Sequence, residues 1–170
     1  MRTQVSEDTL GDVQFAAQLS GKYLTFDLIE EEFALALLRV KEIIGMMEIT
    51  PVPRTPGFIL GVINLRGKVI PVVDLRTKFG LDYREPDDRT CVVVGEVIKG
   101  DETIQIGIVV DHVNEVVDVK PEDVAPTPSF GMALQTEFIL GLAKLGDKLK
   151  IILDIDKVLT AEEVAGIRSF

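Results

Sequence analysis

A chain of 170 residues that is 46% apolar and carries a formal net charge of −10 has material for one ordinary domain or two small barrels. The charge argues against nucleic acid, whose phosphates need clustered Lys and Arg, and against direct contact with anionic lipid. Cys91 stands alone, so no intramolecular disulfide can form; the first twenty residues include Glu7, Asp8 and Asp12, and no apolar run approaches about eighteen residues, which makes the cytoplasm the expected compartment.

Residues 1–21 admit two readings, a docked amphipathic helix or a mobile tail, because Leu10, Val13 and Ala17 have only weak helical spacing. Tyr23–Leu28 alternates with period two, and Phe33–Leu38 returns after the polar corner Glu30–Glu32, which predicts a hairpin. Ile43–Ile49 reads as a third strand, and the proline-rich stretch Thr50–Pro56 as an extended crossover. Gly61–Leu65 and Val69–Leu75 flank Arg66-Gly67-Lys68, a tight hairpin connection. Pro71, unable to donate to a ladder, is expected at an edge or a bulge. Asp74 can cap a turn over Leu75–Phe79 that Gly80 ends. The second half offers strands at Cys91–Ile98, Ile104–Val110, Val113–Val119, Leu140–Leu145 and Leu149–Ile155, with a second extended crossover through Pro126–Pro128. Thr160-Ala-Glu-Glu is a capping box that opens a C-terminal helix over Val164–Ile167.

The two halves repeat one another. Phe58-Ile59-Leu60-Gly61 recurs as Phe138-Ile139-Leu140-Gly141, and the register holds through Leu65 and Leu145, Lys68 and Lys148, and Asp74 and Asp154. Looser echoes precede each copy: Val40-Lys-Glu-Ile-Ile matches Val113-Asn-Glu-Val-Val, and Thr50-Pro-Val-Pro matches Val124-Ala-Pro-Thr-Pro. A repeat present only twice indicates duplicated subdomains; a solenoid needs three or more units. The expected fold is therefore mainly β: two five-stranded closed barrels over 22–85 and 86–158, an arm at 1–21 and a C-terminal helix at 159–170, all forming one domain.

Catalytic chemistry is poorly supplied. His112 is the single histidine and no nucleophile elbow accompanies it. Glu30–Glu32 and Asp87–Asp88 lack the order of a calcium loop, and no phosphate loop occurs. No cofactor or metal is expected, and no enzymatic activity. Arg66 is different, because the second copy has Lys144-Leu-Gly-Asp-Lys where the first has Asn64-Leu-Arg-Gly-Lys. Two roles are open for it, a solvated turn arginine or a charge-assisted contact to a partner carboxylate.

The string Thr55-Pro-Gly-Phe-Ile-Leu-Gly-Val-Ile-Asn-Leu-Arg-Gly-Lys-Val-Ile-Pro-Val-Val-Asp-Leu, together with Leu38-Arg-Val-Lys-Glu-Ile, Gly107-Ile-Val-Val-Asp-His-Val and Leu142-Ala-Lys-Leu-Gly-Asp, resembles the bacterial chemotaxis coupling protein CheW family over about residues 22 to 165. The resemblance implies two SH3-like β-barrels and a non-enzymatic adaptor that links chemoreceptor cytoplasmic tips to the regulatory domain of the histidine kinase CheA, recruited to receptor arrays at the inner face of the membrane. It implies a receptor-binding groove at Val40, Glu42, Ile43, Arg66, Gly107, Val113 and Val116, and a kinase contact at Gly61 and Phe130. For the four aliphatics, barrel core and interface ask for the same chemistry, so both roles stay open. Phe130 follows a proline-rich loop, where an aromatic either anchors a partner or packs back on the barrel. A regulatory or scaffolding module of another receptor–kinase pathway is the alternative. The chain has no room for a nucleotide-binding or receiver domain and is expected to be free-standing.

Overall fold

The computed structural model of the chain describes residues 7–125 and 136–168. Eleven strands form within them: β1 (Gly21–Leu28), β2 (Glu31–Ala36), β3 (Val40–Gly45), β4 (Ile59–Leu65), β5 (Lys68–Val73), β6 (Cys91–Lys99), β7 (Glu102–Val110), β8 (His112–Val119), β9 (Val124–Ala125), β10 (Ile139–Leu145) and β11 (Lys148–Leu153). Three α-helices accompany them, α1 (Glu7–Leu19), α2 (Leu75–Lys78) and α3 (Ala161–Arg168). The arm is thus a helix over residues 7–19. The caps lie where the sequence puts them: the Asp74 side chain accepts from Arg76 N at 3.0 Å at the head of α2, and Thr160 and Glu163 exchange their two capping bonds at 2.8 and 3.1 Å before α3.

The strands curl into two sheets, in the orders β8-β1-β2-β11-β10-β9 and β3-β6-β7-β5-β4. The expected division at residues 85 and 86 does not describe this pairing. Hairpin β1–β2 lies with β8, β10 and β11 from the second half, and hairpin β6–β7 lies with β3, β4 and β5 from the first. Parallel pairs make the exchange: Ile151 opposite Phe33 and Ile152 opposite Ala34 in one sheet, Val72 opposite Gly107 and Val73 opposite Ile108 in the other. Each half therefore gives its first hairpin to the other half's barrel. The reason lies in the connections, because a two-residue turn ties β1 to β2, whereas the turn Leu37–Arg39 carries the chain away into the second barrel.

The repeat is a repeat of register. Ile59 opposes Val73, a bulge follows, and Gly61 opposes Val72; Ile139 opposes Leu153, a bulge follows, and Gly141 opposes Ile152. Asp74 N donates to Phe58 O at 2.7 Å and Asp154 N to Phe138 O at 2.9 Å. Each barrel closes in the same way, Thr50 bridging to Val62 and Ala125 pairing with Leu142. Pro71 is interior to its sheet, not at an edge. It is tolerated because Val62, its partner, exchanges both backbone bonds with Thr50 and because the parallel ladder to β7 begins one residue later.

Three apolar clusters hold the molecule. One fills the barrel containing β1 and β2 (Tyr23, Ala34, Val119, Ala143, Ile152) and one fills the other (Ile63, Ile70, Val72, Val92, Val94). The third is shared, with Phe26, Phe33 and Leu35 from one sheet meeting Val93, Val97 and Ile108 from the other. The barrels approach closely at Gly95, where a Cβ would stand 2.8 Å from Ile155 Cδ1. Arg39 fastens the same seam: its guanidinium donates to both Asp156 oxygens at 2.7 and 2.6 Å and to Glu96 O at 3.0 Å, while Ile98 N donates to Asp156 at 2.7 Å.

Candidate functional site: the seam between the barrels

Strands β3 and β8 are equivalent in the duplication. Val40 opposes Gly95 and Ile43 opposes Val93; Val113 opposes Phe26 and Val116 opposes Leu24, and each strand holds one extra residue between its two pairs. A bulge of that kind reorients the side chains that follow it. Val40 and Val113 consequently lean on the shared cluster and are half-buried, while Ile43 and Val116 are 45% and 52% exposed. The two strands thus leave the seam with one inward and one outward aliphatic each. Leu38, in the turn before β3, is 92% exposed. Sequence reasoning placed it at the end of the strand Phe33–Leu38, whereas β2 ends at Ala36.

Glu42 lies on the face of β3 that also carries Ile44, and its carboxylate pairs with Arg66 at the tip of the β4–β5 hairpin. The pair joins the two end strands of that sheet order across the closure of their barrel. The Arg66 guanidinium is charged like any arginine, and the Glu42 bond raises it further above its ordinary value. Arg66 sits at φ 53°, left-handed backbone that a Cβ disfavours, and its counterpart is Gly146 at φ 65°. The backbone would prefer glycine at position 66. A guanidinium stands there instead, 73% exposed.

Two glycines have structural duties. Gly107 is buried, and a Cβ on it would stand 2.7 Å from Val92 Cγ1 inside the barrel, so it is not on the exposed surface with Ile43. Gly61, at φ 146°, lies under the crossover: a Cβ would meet Thr50 O at 2.2 Å. Phe130 lies outside the described residues. Among those described, no group of three or more His, Cys, Asp and Glu is placed to hold a metal ion, and no helix is long and apolar enough to cross a membrane. A recess beside Arg76, Tyr83 and Asp111 has a volume of about 10 Å³, room for one water.

Around Arg39, burial pushes the Asp156 carboxyl up, but the bonds from Arg39 and Ile98 N outweigh it and hold the group below its ordinary value. Arg39 is raised by the same hydrogen bond. Both partners are therefore favoured in their charged forms, and the fork-to-carboxylate geometry fixes one barrel against the other.

The model of the CheW-like domain matches residues 22–163 of this chain. The chain belongs to the CheW-like domain family. It is 40% identical over 147 residues to the chemotaxis protein CheW of Klebsiella aerogenes, covering 85% of this chain and 84% of that protein. The chemotaxis protein CheW of Bacillus subtilis is 33% identical over 142 residues, 83% of this chain and 88% of that one. Among solved structures, the scaffolding protein TtCheW from Thermoanaerobacter tengcongensis superposes with a TM-score of 0.75 at 33% identity, covering 85% of this chain and 96% of that one.

Proposed function

We propose that this chain is a non-enzymatic adaptor that couples the cytoplasmic tips of chemoreceptors to the regulatory domain of the histidine kinase CheA, at receptor arrays on the inner face of the membrane. The observation that supports it best is the repeated outward aliphatic, Ile43 on β3 and Val116 on β8, beside a guanidinium kept on unfavourable backbone. A receptor helix laid along the seam would bury Ile43, Val116 and Leu38 as its apolar floor. Val40 and Val113 set that floor from beneath. Arg66 and Glu42 form the polar rim, where an acidic receptor side chain competes with Glu42 for the guanidinium. Gly107 acts through packing within its barrel. For the kinase contact, Gly61 shapes the crossover around Thr50 and Phe130 supplies an aromatic anchor.

Reconstitution of receptor, kinase and this protein tests the reading. Wild type should give receptor-dependent kinase activity; Arg66→Ala should lower it more than Lys148→Ala, with no loss of fold. The deficit should shrink with added salt, since exposed charges are screened over about 10 Å at 0.1 M. Absence of receptor-dependent activity with the wild-type chain removes the adaptor reading. A silent Arg66→Ala removes only the rim.

A further inference from the structure

Helix α1 lies outside the residues matched by the family model, which begin at 22, yet two of its side chains enter the interior cluster of the first barrel. Leu19 is 8% exposed, and Phe15 packs beside it against Tyr23, Val119, Ala143 and Ile152. The duplication sets the two interiors apart. Ile63 and Ile70 face each other inside the barrel of β3 to β7, and their counterparts by register are Ala143 and Lys150. Val94, opposite Gly107, has Thr25, opposite Ala34, as its counterpart. Three inward positions that hold Ile, Ile and Val in one barrel thus hold Ala, Lys and Thr in the other. Tyr23, opposite Ala36, in turn stands where the other barrel has Val92, opposite Val109, so the two interiors differ in polarity more than in volume, and Phe15 and Leu19 add apolar surface to the more polar one.

Gly141 completes the seat. Unlike Gly61, it is not among the residues with positive φ. A Cβ on it would stand 2.9 Å from Leu19 Cδ1 and 3.0 Å from Phe15 Cζ, against 3.3 Å from Ala125 O, so the missing side chain makes space chiefly for the helix. Beyond this seat the helix also meets the Pro121–Asp123 turn and β9. Tyr23 Oη donates to Leu19 O at 2.7 Å, Val13 is 62% exposed, and Ser20 joins the helix to Gly21, whose φ of 139° has open space around it. A helix of 13 residues is marginal in water without such a seat.

We propose that the face around Gly141 and Ala143 is a helix-docking site, held in this structure by the chain's own α1, and that it accepts in exchange a partner helix with an aromatic and an aliphatic side chain four residues apart. The seated helix defines the ligand, because Phe15 and Leu19 fall on one face at that spacing. The site is separate from the seam and does not rest on the adaptor reading. A short tether gives α1 an effective concentration of about 1 mM. A helix with a free dissociation constant of about 100 μM would therefore bind the intact chain about 10-fold more weakly than a chain whose α1 is disabled.

The probe is a fluorescein-labelled synthetic peptide of residues 5–20, titrated into the full chain and its Phe15→Asp variant, with amide hydrogen exchange read on both. The variant should bind the peptide about 10-fold more tightly, exchange the amides of residues 8–19 quickly and keep its strand amides protected. A peptide carrying Phe15→Ala and Leu19→Ala should bind neither chain. Gly141→Ala, which fills the seat, should release α1 and still fail to bind the peptide. The proposal falls if a folded Phe15→Asp chain with released α1 ignores the peptide, or if both peptides bind equally. It falls also if Phe15→Asp unfolds the barrels, which would make α1 core, or if the wild type sediments as a dimer with α1 exchanged between copies, which would make the occupant a second copy.

Discussion

Replacing Asp156 with Ala removes the fastening between the barrels while leaving every strand intact. The carboxylate accepts three bonds, from Arg39 Nη1 at 2.7 Å, Arg39 Nη2 at 2.6 Å and Ile98 N at 2.7 Å. Hydrogen bonds to charged groups contribute about 1.5–3 kcal/mol each when fully buried, whereas exposed ion pairs contribute about 0–1 kcal/mol. Here the two side chains keep 26% and 29% of their surface, and Arg39 retains Glu96 O. Ile98 is itself 41% exposed, so water can serve its N–H. The loss should lie between those limits, about 2 kcal/mol, which for a chain of this size lowers Tm by roughly 4–8 °C. Scanning calorimetry at pH 7 measures it, and a double-mutant cycle with Arg39→Ala should return a coupling of about 1–2 kcal/mol. The same group has a signature in pH. Its folded pKa is depressed, so its contribution is present above the unfolded value of about 3.9 and is lost as pH falls through the lower folded value. Glu163, pushed up by burial but held low overall by Thr160 and Lys78, acts in the same acid window. Asp156→Ala should therefore lower stability by its full amount at neutral pH, leave the slope above pH 6 unchanged, and flatten the acid limb of the stability curve. A shift in Tm below about 1 °C, or an unchanged acid limb, would refute the fastening.

Two further substitutions separate backbone geometry from contact. Gly61→Ala places a Cβ 2.2 Å from Thr50 O at φ 146°, which should destabilise the chain by about 3 kcal/mol; a Tm within about 2 °C of wild type would free Gly61 for a role purely at a partner surface. Glu30 is exposed at φ 60° beside Ile29 at φ 57° in the β1–β2 turn, so Glu30→Gly should stabilise by about 0.5–1 kcal/mol, as read by urea unfolding, and a lower midpoint would contradict the assignment of strain.

Much of the fold was legible because its signals are local. The 58–75 and 138–155 copies share bulge, hairpin and cap, and all of these are written in residues a few positions apart. Strand limits drifted where the signal was composition alone: β3 runs over Val40–Gly45, not Ile43–Ile49, because the bulge at its start breaks the alternation that would have marked it. The exchange of hairpins was not legible, since parallel pairing of β2 with β11 joins residues more than a hundred positions apart and nothing within either segment names its partner. For the site, types were readable and orientations were not. Val40 and Ile43 have the same chemistry, and only the bulge decides which leans on the core. The resemblance put Gly107 and Gly61 at partner contacts, and what the sequence did not show is that the space beside them is taken by Val92 and by Thr50. The pairing of Arg66 with Glu42 needed β3 and the β4–β5 tip to meet across the closure of a barrel.

The exchanged hairpins have a thermodynamic consequence that a side-by-side duplication would lack. Neither barrel can close with one half of the chain, because β2 needs β11 and β7 needs β5. The shared cluster then joins Phe26, Leu35 and Leu153 to Val93, Ile106 and Ile108, so opening either barrel exposes the apolar face of the other. Two independent barrels would unfold in two steps, whereas this arrangement should unfold in one, with calorimetric and van't Hoff enthalpies equal. Cleavage in the segment between α2 and β6, at residues 81–90, is the sharper test. Two separable barrels would part after the cut and each would keep its strand signal. Interlocked halves should instead stay associated through gel filtration and dissociate only in denaturant, and neither fragment should fold when isolated. Folding of one isolated fragment would overturn the argument, and with it the claim that the seam between Ile43 and Val116 is set by both halves at once.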